Sequence, residues 1–461
     1  MISKRLLTIL LLPFLSFNQA SADGERLENL TLTQALELVK SRNQEIKVSK
    51  FNEQIKAFEA RATKGNRYGN MDVTFQAMNS NDAGNVFGFK MQSREATFGD
   101  FGFNEFDMSG QTNPLPVAPK DLNYPSARNH FQTKLSYSVP FYTGGKLDQY
   151  EKITEAMKTM SSLDTTKLLN EKVFQTKKTY YDIALVDQYI KNLSLIIKNI
   201  KKLQNVVVQM RKEGYAIGND KVEVDAKLVE VESMLNQAKL NKELAYQYIS
   251  FLVNADVRSL QSSKDIVASI PVVNHEKLHE DNIDIQKASL GLEMTDIAVK
   301  IQETNYKPTI GGFAEYASAD DNAFNNFFDH EAYTVGVQMK WNIFDGGISK
   351  ANLEKAKIEN LKMQEQVELA KSGISLQTTK ILTEIKSKDE DIKNLEKQLE
   401  LSKKVYENYH ARYKEGLVSI SDLLVKQSKE IEVLMKLLTA KNEHNSKVFE
   451  LESIIDKGEI I

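Results

Sequence analysis

Apolar residues recur at every third or fourth position over most of this chain, which is the spacing of amphipathic helices. Thr31 or Thr33 is placed to cap the first of them. The pattern holds for about 31 residues in the first stretch and for about 66 in two others, each followed by a shorter return stretch. The predicted helices cover residues 32–62, 147–212, 220–253, 348–414 and 419–453.

The second long stretch carries the regular seam of a coiled coil. Starting from Leu353, alternating steps of three and four residues meet an apolar or aromatic side chain at 14 of 18 positions. One irregular step of 11 residues, from 374 to 385, is expected to relax a left-handed supercoil locally. A helix of this length extends about 100 Å at 1.5 Å per residue. The polar exceptions on the seam are Asn360, Gln377, Lys388 and Ser402.

Between the helices, apolar and polar residues alternate strictly over 131–141 and again over 333–343. An apolar face opposite a polar face is what a strand of a membrane barrel needs, with lipid outside and water inside. Weaker partner strands precede both, so that the β-hairpins 66–142 and 309–344 supply four strands. Their loops, 79–128 and 318–331, have the composition of surface loops. The aromatic residues that we expect to anchor the strands at the lipid interface, rather than in a soluble sheet, are Phe131, Tyr137, Tyr333 and Trp341.

This succession of elements occurs twice, at an offset of 202 residues. The glycine pair Gly144-Gly145 corresponds to Gly346-Gly347, and Gly214 corresponds to Gly416. In both copies, 70 residues separate the first glycine of the pair from the later single glycine. Because a loop tolerates insertions and a packed rod does not, the equal spacing predicts a rigid helix of fixed length.

The composition narrows the class of function. The chain has 461 residues, a formal net charge of −3 and no cysteine, which argues against a nucleic-acid binder, a disulfide framework and a thiolate metal site. The six histidines lack metal-ligand spacing, and we find no phosphate-binding loop and no nucleophile with a partnered base. We therefore expect no enzyme activity, no cofactor and no bound metal.

The first 22 residues have the pattern of a secretory signal. Lys4 and Arg5 precede an apolar run that ends at Leu15, and small residues up to Ala22 form a cleavage site. A signal anchor is the alternative, but ten apolar residues are too few to span a bilayer as a helix. No apolar run long enough to span a bilayer as a helix follows, so a membrane would be crossed by strands.

Four strands cannot close a barrel, and open sheet edges are not tolerated in lipid. We therefore predict that the chain contributes part of a barrel completed by other copies. A homotrimer gives 12 strands, an even number within the range of outer-membrane barrels. The predicted fold class is an α+β membrane protein, in which long antiparallel coiled-coil helices form an α-barrel beside this 12-stranded β-barrel.

With these features, the mature chain resembles the TolC-like outer-membrane efflux protein family. The residues that carry the resemblance are the strand-to-helix junctions Tyr142-Thr-Gly-Gly145 and Phe344-Asp-Gly-Gly347, the helix-tip sequence from Tyr413 to Asp422, and Leu-Thr-Leu-Thr-Gln-Ala-Leu at 30–36. None of these sequences is specific alone. Their order, the internal duplication and the signal segment are together specific for this family.

The resemblance implies a homotrimeric channel-tunnel in the outer membrane of a Gram-negative bacterium, extending into the periplasm. Its partners would be outer-membrane lipid, a periplasmic adaptor (membrane fusion) protein and an inner-membrane pump of the RND, ABC or MFS type. It would act as a passive conduit for drugs, small molecules or proteins in tripartite efflux or type I secretion. The alternative is a structural or adhesive coiled-coil protein of the periplasm or cell surface, with the strands as a soluble cap.

The resemblance also suggests roles at the helix tip. Three copies of Asp422 would form a carboxylate ring at the periplasmic constriction; the alternative is that Asp422 only helps Ser419 to cap the return helix. The family often has a second acid where this chain has Val425, which puts a doubled ring in doubt. Tyr413 would help to hold the closed state, or would simply pack in the seam. The other candidate tip residues are Gly214 and Gly416 for the turns, Leu417 and Val418 for adaptor contact because they are expected to be exposed, and Asp220 in the first repeat.

The predicted domain organisation follows from these elements. A signal peptide, 1–22, precedes the first repeat, 23–253. A connector, 254–281, leads to the second repeat, 282–453, which also begins with a helix, and a tail covers 454–461.

Overall fold

The computed structural model describes residues 26–105, 109–111, 113, 115–214, 218–261, 266–274, 276–323 and 329–455. The predicted signal peptide and most of the predicted tail lie outside this part of the chain. The chain forms two compact units, described below as the helical unit (1–47, 168–273 and 377–458) and the sheet unit (48–167, 274–376 and 459–461).

Helices dominate the described residues, and the two longest have the same length. Both contain 67 residues and both are followed by a return helix of 36 residues, 202 positions apart at each end, so the repeat seen in the sequence extends to the helix bounds. Among the described residues, no helix is long and apolar enough to cross a membrane. The helices are α1 Leu32–Arg42, α2 Gln44–Gly65, α3 Ala83–Gln92, α4 Lys120–Asn123, α5 Lys146–Lys212, α6 Gly218–Val253, α7 Leu278–Asp281, α8 Ile283–Glu303, α9 Ile348–Lys414 and α10 Ile420–Ile455.

The strands form two sheets. A short parallel pair joins the N-terminal segment to the predicted connector, and a four-stranded antiparallel sheet has the order β2-β3-β5-β6. The strands are β1 Arg26–Leu27, β2 Asn70–Ser80, β3 Arg128–Tyr142, β4 Asp256–Val257, β5 Thr309–Asp320 and β6 Glu331–Lys340.

The single helix predicted over 32–62 is wrong, because Asn43 separates α1 from α2. Its backbone (φ −59°, ψ 128°) leaves the helical region. The buried side chain donates to the Leu252 carbonyl (2.9 Å) and accepts from the Ile46 amide (3.1 Å), which caps α2. A polar side chain that satisfies a helix end and a distant carbonyl together stabilises the break.

The seam predicted along α9 needs one correction. Gln377 is exposed, whereas the neighbouring Thr378 is fully buried. The 11-residue step therefore ends at Thr378, seven residues earlier on the seam than the prediction, which placed its end at Ile385. The apolar count could not identify this shift, because both candidate residues at the step are polar.

The predicted connector has regular structure of its own. Besides β4 and α7, it is fixed by the buried Asn445 of α10, which accepts from the Ala268 amide (2.8 Å) and donates to the Ile266 carbonyl (2.7 Å). Tyr180 of α5 donates to the Gln261 carbonyl (2.8 Å). These side chains attach the connector to the helices without a continuous strand or helix.

The first hairpin loop, predicted as a surface loop, contains the helix α3. Asp82 is the N-cap of α3 and accepts from the Asn85 amide (3.0 Å). Val86 and Phe89 are the buried residues of this helix. The Gly- and Asn-rich composition concealed a capping residue followed by two apolar residues on one helix face.

We predict that Asn445→Ala loosens the connector. The buried Ala268 amide and the partly buried Ile266 carbonyl lose their partner, which should lower the free energy of unfolding of the helical unit by about 2 to 4 kcal/mol. Thermal unfolding and limited proteolysis across 261–274 measure the effect. Asn241→Ala, on an exposed face of α6, is the matched control; equal protease resistance of the two variants would contradict the role given to Asn445.

Candidate functional site

The four-stranded sheet has one apolar face that continues across all four strands. Directly paired residues of antiparallel strands point to the same side of a sheet. Two rows of such pairs, running from β2 to β6, are Val73–Leu135–Tyr316–Tyr333 and Met71–Tyr137–Ala314–Val335. The side chains at the β6 end of these rows are exposed by 80% and 72%. The apolar face is therefore open within one chain.

The opposite face is mainly polar. One of its rows is Asp72–Ser136–Glu315–Thr334, and Lys134 of β3 forms an ion pair with Glu315 (3.1 Å). On this face, the Phe313 ring covers Gly336, where a Cβ atom would come within 2.5 Å of it. The alternation predicted from the sequence thus separates an apolar side from a polar one.

Both edges of this sheet lack a partner strand among the described residues. The order β2-β3-β5-β6 leaves one side of β2 and one side of β6 unpaired. The β2 edge carries 11 residues and the β6 edge carries 10. Such edges present free N–H and C=O groups that favour pairing with another chain.

The predicted interface aromatics lie at different heights on the apolar side. Tyr333 is near the loop end of β6, whereas Trp341 immediately follows β6 and donates to the Tyr306 carbonyl (3.1 Å). Tyr137 donates to the Tyr68 carbonyl (2.8 Å), and Phe131 stacks on Phe75.

The glycine pairs lie directly before the two long helices, where the sequence predicts the strand-to-helix junctions. Gly144 and Gly346 have φ values of 67° and 69°, and Gly145 and Gly347 have 91° and 90°. Two successive residues at positive φ turn the chain from strand to helix in a conformation that favours glycine. The junctions have the same geometry in both repeats.

Gly416 and Gly214 end the two long helices. Gly416 (φ 71°) donates to the Tyr413 carbonyl (2.9 Å), and Leu417 donates to the Arg412 carbonyl (2.9 Å). This is the Schellman arrangement, in which a left-handed residue closes a helix C-terminus. Gly214 (φ 82°) also lies at the end of α5 with positive φ, and it donates to the Arg211 carbonyl (3.2 Å).

Asp422 forms part of a capping box at the start of α10. Its amide donates to Ser419 Oγ (3.1 Å), and its carboxylate accepts from that hydroxyl (2.7 Å). The hydroxyl and the Ser419 backbone hold the pKa of Asp422 below its ordinary value. The side chain is also exposed, so capping leaves it accessible to a neighbouring molecule.

Tyr413 lies in the apolar cluster of the helix tip. Its side chain is 4% exposed, and its hydroxyl has no hydrogen-bond partner among the described residues. Burial raises the pKa of Tyr413 to about 12, and the carboxylate of Asp220 adds to the shift. The structure thus brings two of the predicted tip residues into electrostatic contact.

The two candidate docking residues differ in exposure. Leu417 is 65% exposed, as predicted, but Val418 is half-buried and packs on the tip cluster. The expectation that both are exposed is therefore wrong for Val418. Its neighbour Ile420 begins α10 and is buried, which draws the segment toward the core.

Sequence reasoning missed a polar link and a buried acid near the tip. Ser421 of α10 donates to Glu223 of α6 (2.6 Å), which joins the two return helices. Glu430 is 9% exposed and accepts from Gln427 (2.9 Å), and its burial raises its pKa. The burial of polar residues in a helix seam leaves no signal in an apolar periodicity.

Two apolar stripes of the sheet unit are uncovered within one chain. On α2, Val48, Phe51, Ile55 and Phe58 follow heptad spacing and are all more than half exposed. On α9, the corresponding exposed residues are Ile358, Leu361, Leu369 and Leu376. The second stripe lies on the face of α9 opposite the predicted seam, so the seam positions do not include it.

Within the described residues, one group of side chains has the geometry to hold a cation. Glu95, Asp320 and His330 each offer a ligand atom, and these atoms lie within 4.8 Å of one another. Glu95 belongs to the first hairpin loop, whereas Asp320 and His330 adjoin β5 and β6 in the second, which is why their spacing along the sequence showed no site.

The second half of the chain matches a known family. Residues 275–455 match the model of the family described as outer membrane efflux protein. No curated protein matches the chain. The sequence-based resemblance to this family is therefore confirmed.

Solved structures share the fold over most of the chain. CusC, described in connection with transmembrane channel formation, is 13% identical with a TM-score of 0.76 and covers 93% of this chain and 92% of its own. The CmeC outer membrane channel of Campylobacter jejuni is 15% identical (TM-score 0.71; 93% and 86% covered). The open MtrE outer membrane channel of Neisseria gonorrhoeae is 14% identical (TM-score 0.72; 92% and 88% covered). At these identities the likeness establishes the fold.

We predict that two Gly→Ala substitutions in and after α9 change the stability of the protein in opposite directions. Gly416→Ala places a Cβ at φ 71° and should destabilise the protein by about 1 to 2 kcal/mol. Gly373→Ala lies inside α9, where an added Cβ meets nothing within 4 Å, and should stabilise it by about 0.5 to 1 kcal/mol. Thermal unfolding of both variants compares the two; a loss of stability in both would mean that Gly373 has an unseen packing role.

Proposed function

We propose that this chain, whose second half matches the outer membrane efflux family, is a subunit of a passive export channel in the outer membrane. The observation that carries the proposal is the four-stranded sheet, with one open apolar face and two unpaired edges. The channel would serve tripartite efflux or type I secretion and would export drugs, small molecules or proteins. The matched family consists of channels, not enzymes.

The unpaired edges support assembly as a homotrimer. In lipid, each free backbone group would cost several kcal/mol, so both edges must be paired. Pairing β6 of one copy with β2 of the next is a head-to-tail contact that closes a ring. Three copies supply 12 strands, and closure leaves no edge.

The exposed apolar stripes support the same assembly. α2 leads through a short turn into β2, and α9 starts a few residues after β6. Joining β6 to β2 would therefore bring α9 of one copy to the side where the next copy carries α2. Stripes of four large apolar residues on each helix would then cover one another. Both stripes would therefore be covered by a second copy of this chain.

The apolar face has the height of a membrane. Tyr333 of β6 and Trp341, directly after β6, are eight residues apart, which is about 26 Å of extended chain at 3.3 Å per residue. Outer-membrane barrels carry an apolar band about 25 Å tall between two aromatic girdles. Phe131, Tyr137, Tyr333 and Trp341 would be members of those girdles, and lipid would cover the residues between them.

The location and partners follow from this assignment. The chain would be exported by its signal peptide, cleaved near Ala22, to the outer membrane of a Gram-negative bacterium, and it would extend into the periplasm. There the helix tips, with Leu417 exposed on the turn after Gly416, would contact a periplasmic adaptor protein. An inner-membrane pump of the RND, ABC or MFS type would supply the energy.

At the tip, Asp422 and Tyr413 are the proposed constriction residues. The exposed Asp422 carboxylate would meet its two copies around the three-fold axis, while its bonds to Ser419 fix its position. Tyr413 would hold the closed state from within the tip cluster, with Asp220 beside it. The structural or adhesive alternative has less support, because a soluble cap needs no apolar face that continues over four strands.

The strand faces test the proposal in the membrane. Val337→Arg places a charge midway between Tyr333 and Trp341 on the apolar side and should cost about 2 to 4 kcal/mol, which prevents assembly. Gln338→Arg places the same charge on the polar side and should assemble normally. The yield of assembled protein in detergent extracts of the outer-membrane fraction measures both. Equal yields would show that this face does not meet lipid.

The constriction is tested by Asp422→Asn in planar bilayers. Three carboxylates would be lost while Asn retains an oxygen that accepts from Ser419, so cation preference should weaken with little change in stability. Asp220→Asn, at the equivalent position of the first repeat, is the control and should leave cation preference unchanged. If neither variant alters selectivity, Asp422 is a capping residue only.

A further inference from the structure

The loop ends of the sheet bring together three metal-ligating side chains from separate parts of the chain. Glu95 follows α3, Asp320 ends β5 and His330 immediately precedes β6. One ligand atom from each lies within 4.8 Å of the other two. Each residue belongs to the sheet unit, so the group is internal to one compact part of the molecule.

Glu95 and Asp320 are each held by one oxygen. Glu95 Oε2 accepts from the hydroxyl of the buried Ser93 (2.8 Å) and from the guanidinium of Arg128. Asp320 Oδ1 accepts from the Asp321 amide (2.6 Å). These bonds hold both carboxylates in place beside His330.

His330 contributes a nitrogen that lacks a partner. Its Nδ1 atom is buried and has no hydrogen-bond partner among the described residues. Buried polar atoms in native proteins are nearly always paired, and an atom without a protein partner often contacts a bound water or ion. A neutral imidazole is also the commonest nitrogen ligand of metal ions.

The charges around the group favour a cation. The carboxylates of Glu95, Asp320 and Asp321 lie close together. Arg128 pairs with Glu95, and its Nη1 lies 3.6 Å from Asp321. Three neighbouring carboxylates thus carry more negative charge than this one guanidinium offsets.

We propose that Glu95, Asp320 and His330 bind a divalent transition-metal ion of the Zn²⁺ type. One imidazole and two carboxylates suit Zn²⁺, which takes four ligands and would keep one water. Ca²⁺ and Mg²⁺ prefer sets made only of oxygen. Ligand atoms at about 2.0 to 2.2 Å from zinc are about 3.4 Å apart, so the three side chains need only close inward slightly. The ion would tie the segment after α3 to the β5–β6 hairpin.

Arg128 competes with the ion in this arrangement. Its guanidinium occupies one side of Glu95, and a metal at Glu95 would repel it. Asp321 lies 3.6 Å from the other guanidinium nitrogen and offers the alternative partner. Metal binding would therefore exchange the Arg128–Glu95 pair for an Arg128–Asp321 pair, and the cost of that exchange sets the affinity.

The test is Zn²⁺ binding to the purified, detergent-solubilised chain, prepared with a histidine-free tag and stripped with chelator. Competition with a chromophoric chelator should report one equivalent per chain, and Co²⁺ should give the visible absorption of a site with nitrogen and oxygen ligands. His330→Ala and Asp320→Asn should each weaken binding by about tenfold or more. His279→Ala, a histidine of the same unit bonded to Ser375, is the matched control.

We expect Arg128→Gln to change the Zn²⁺ affinity in the opposite direction. Removal of the competing cation should tighten Zn²⁺ binding several-fold, which a merely structural role of Arg128 would not produce. The absence of Zn²⁺ binding in the parent chain, or equal binding by the His330→Ala and His279→Ala variants, would overturn the site. Unchanged or weaker binding by Arg128→Gln would overturn the exchange of partners. Because the readout is stoichiometry and affinity, the outcome is independent of the proposed export function.

Discussion

The unpaired backbone of β2 and β6 is the constraint on which the proposed assembly depends. A sheet of four strands has two edges, and each edge carries a row of N–H and C=O groups that only water or another strand can satisfy. The apolar face of the same sheet is stable in contact with lipid, where no water is present to bond the edges. The apolar face can be in lipid and both edges can be hydrogen-bonded only if the edges of several copies pair with one another.

The helices are consistent with the same constraint. If the strands of neighbouring copies pair, the helices that adjoin those strands must pack as neighbours as well. The exposed stripes on α2 and α9 provide apolar surface for that packing, which a single chain leaves uncovered. The equal lengths of α5 and α9, and of α6 and α10, allow both repeats to end in matching turns at Gly214 and Gly416.

Features with a local period could be predicted from the sequence, whereas those that depend on distant partners could not. The strand faces around Tyr137 and Val335 and the seam of α9 follow from spacings of two and of three to four residues. The break at Asn43 depends on the Leu252 carbonyl, 209 residues away, and the burial of Thr378 instead of Gln377 depends on packing between polar candidates. The α3 helix was missed for a different reason, since its cap and apolar residues were present but its composition suggested a loop.

The candidate sites divide in the same way. The turn glycines were evident because the repeat presents them twice, and the structure gives each of them positive φ. The exposure of Val418 was predicted wrongly, because its packing on the tip cluster depends on Ile420 and on the helices around it. The group of Glu95, Asp320 and His330 could not be found in the sequence, because only the pairing of β3 with β5 and of β5 with β6 brings the two loops together.

The most direct test of the account is the mass of the detergent-solubilised protein, measured by native mass spectrometry with the detergent removed in the gas phase. The account predicts a complex of three chains, because three copies of four strands close the sheet and cover both stripes. A monomer that remains stable in water without detergent would contradict it, since the apolar face and both edges of the sheet would then be compatible with solvent.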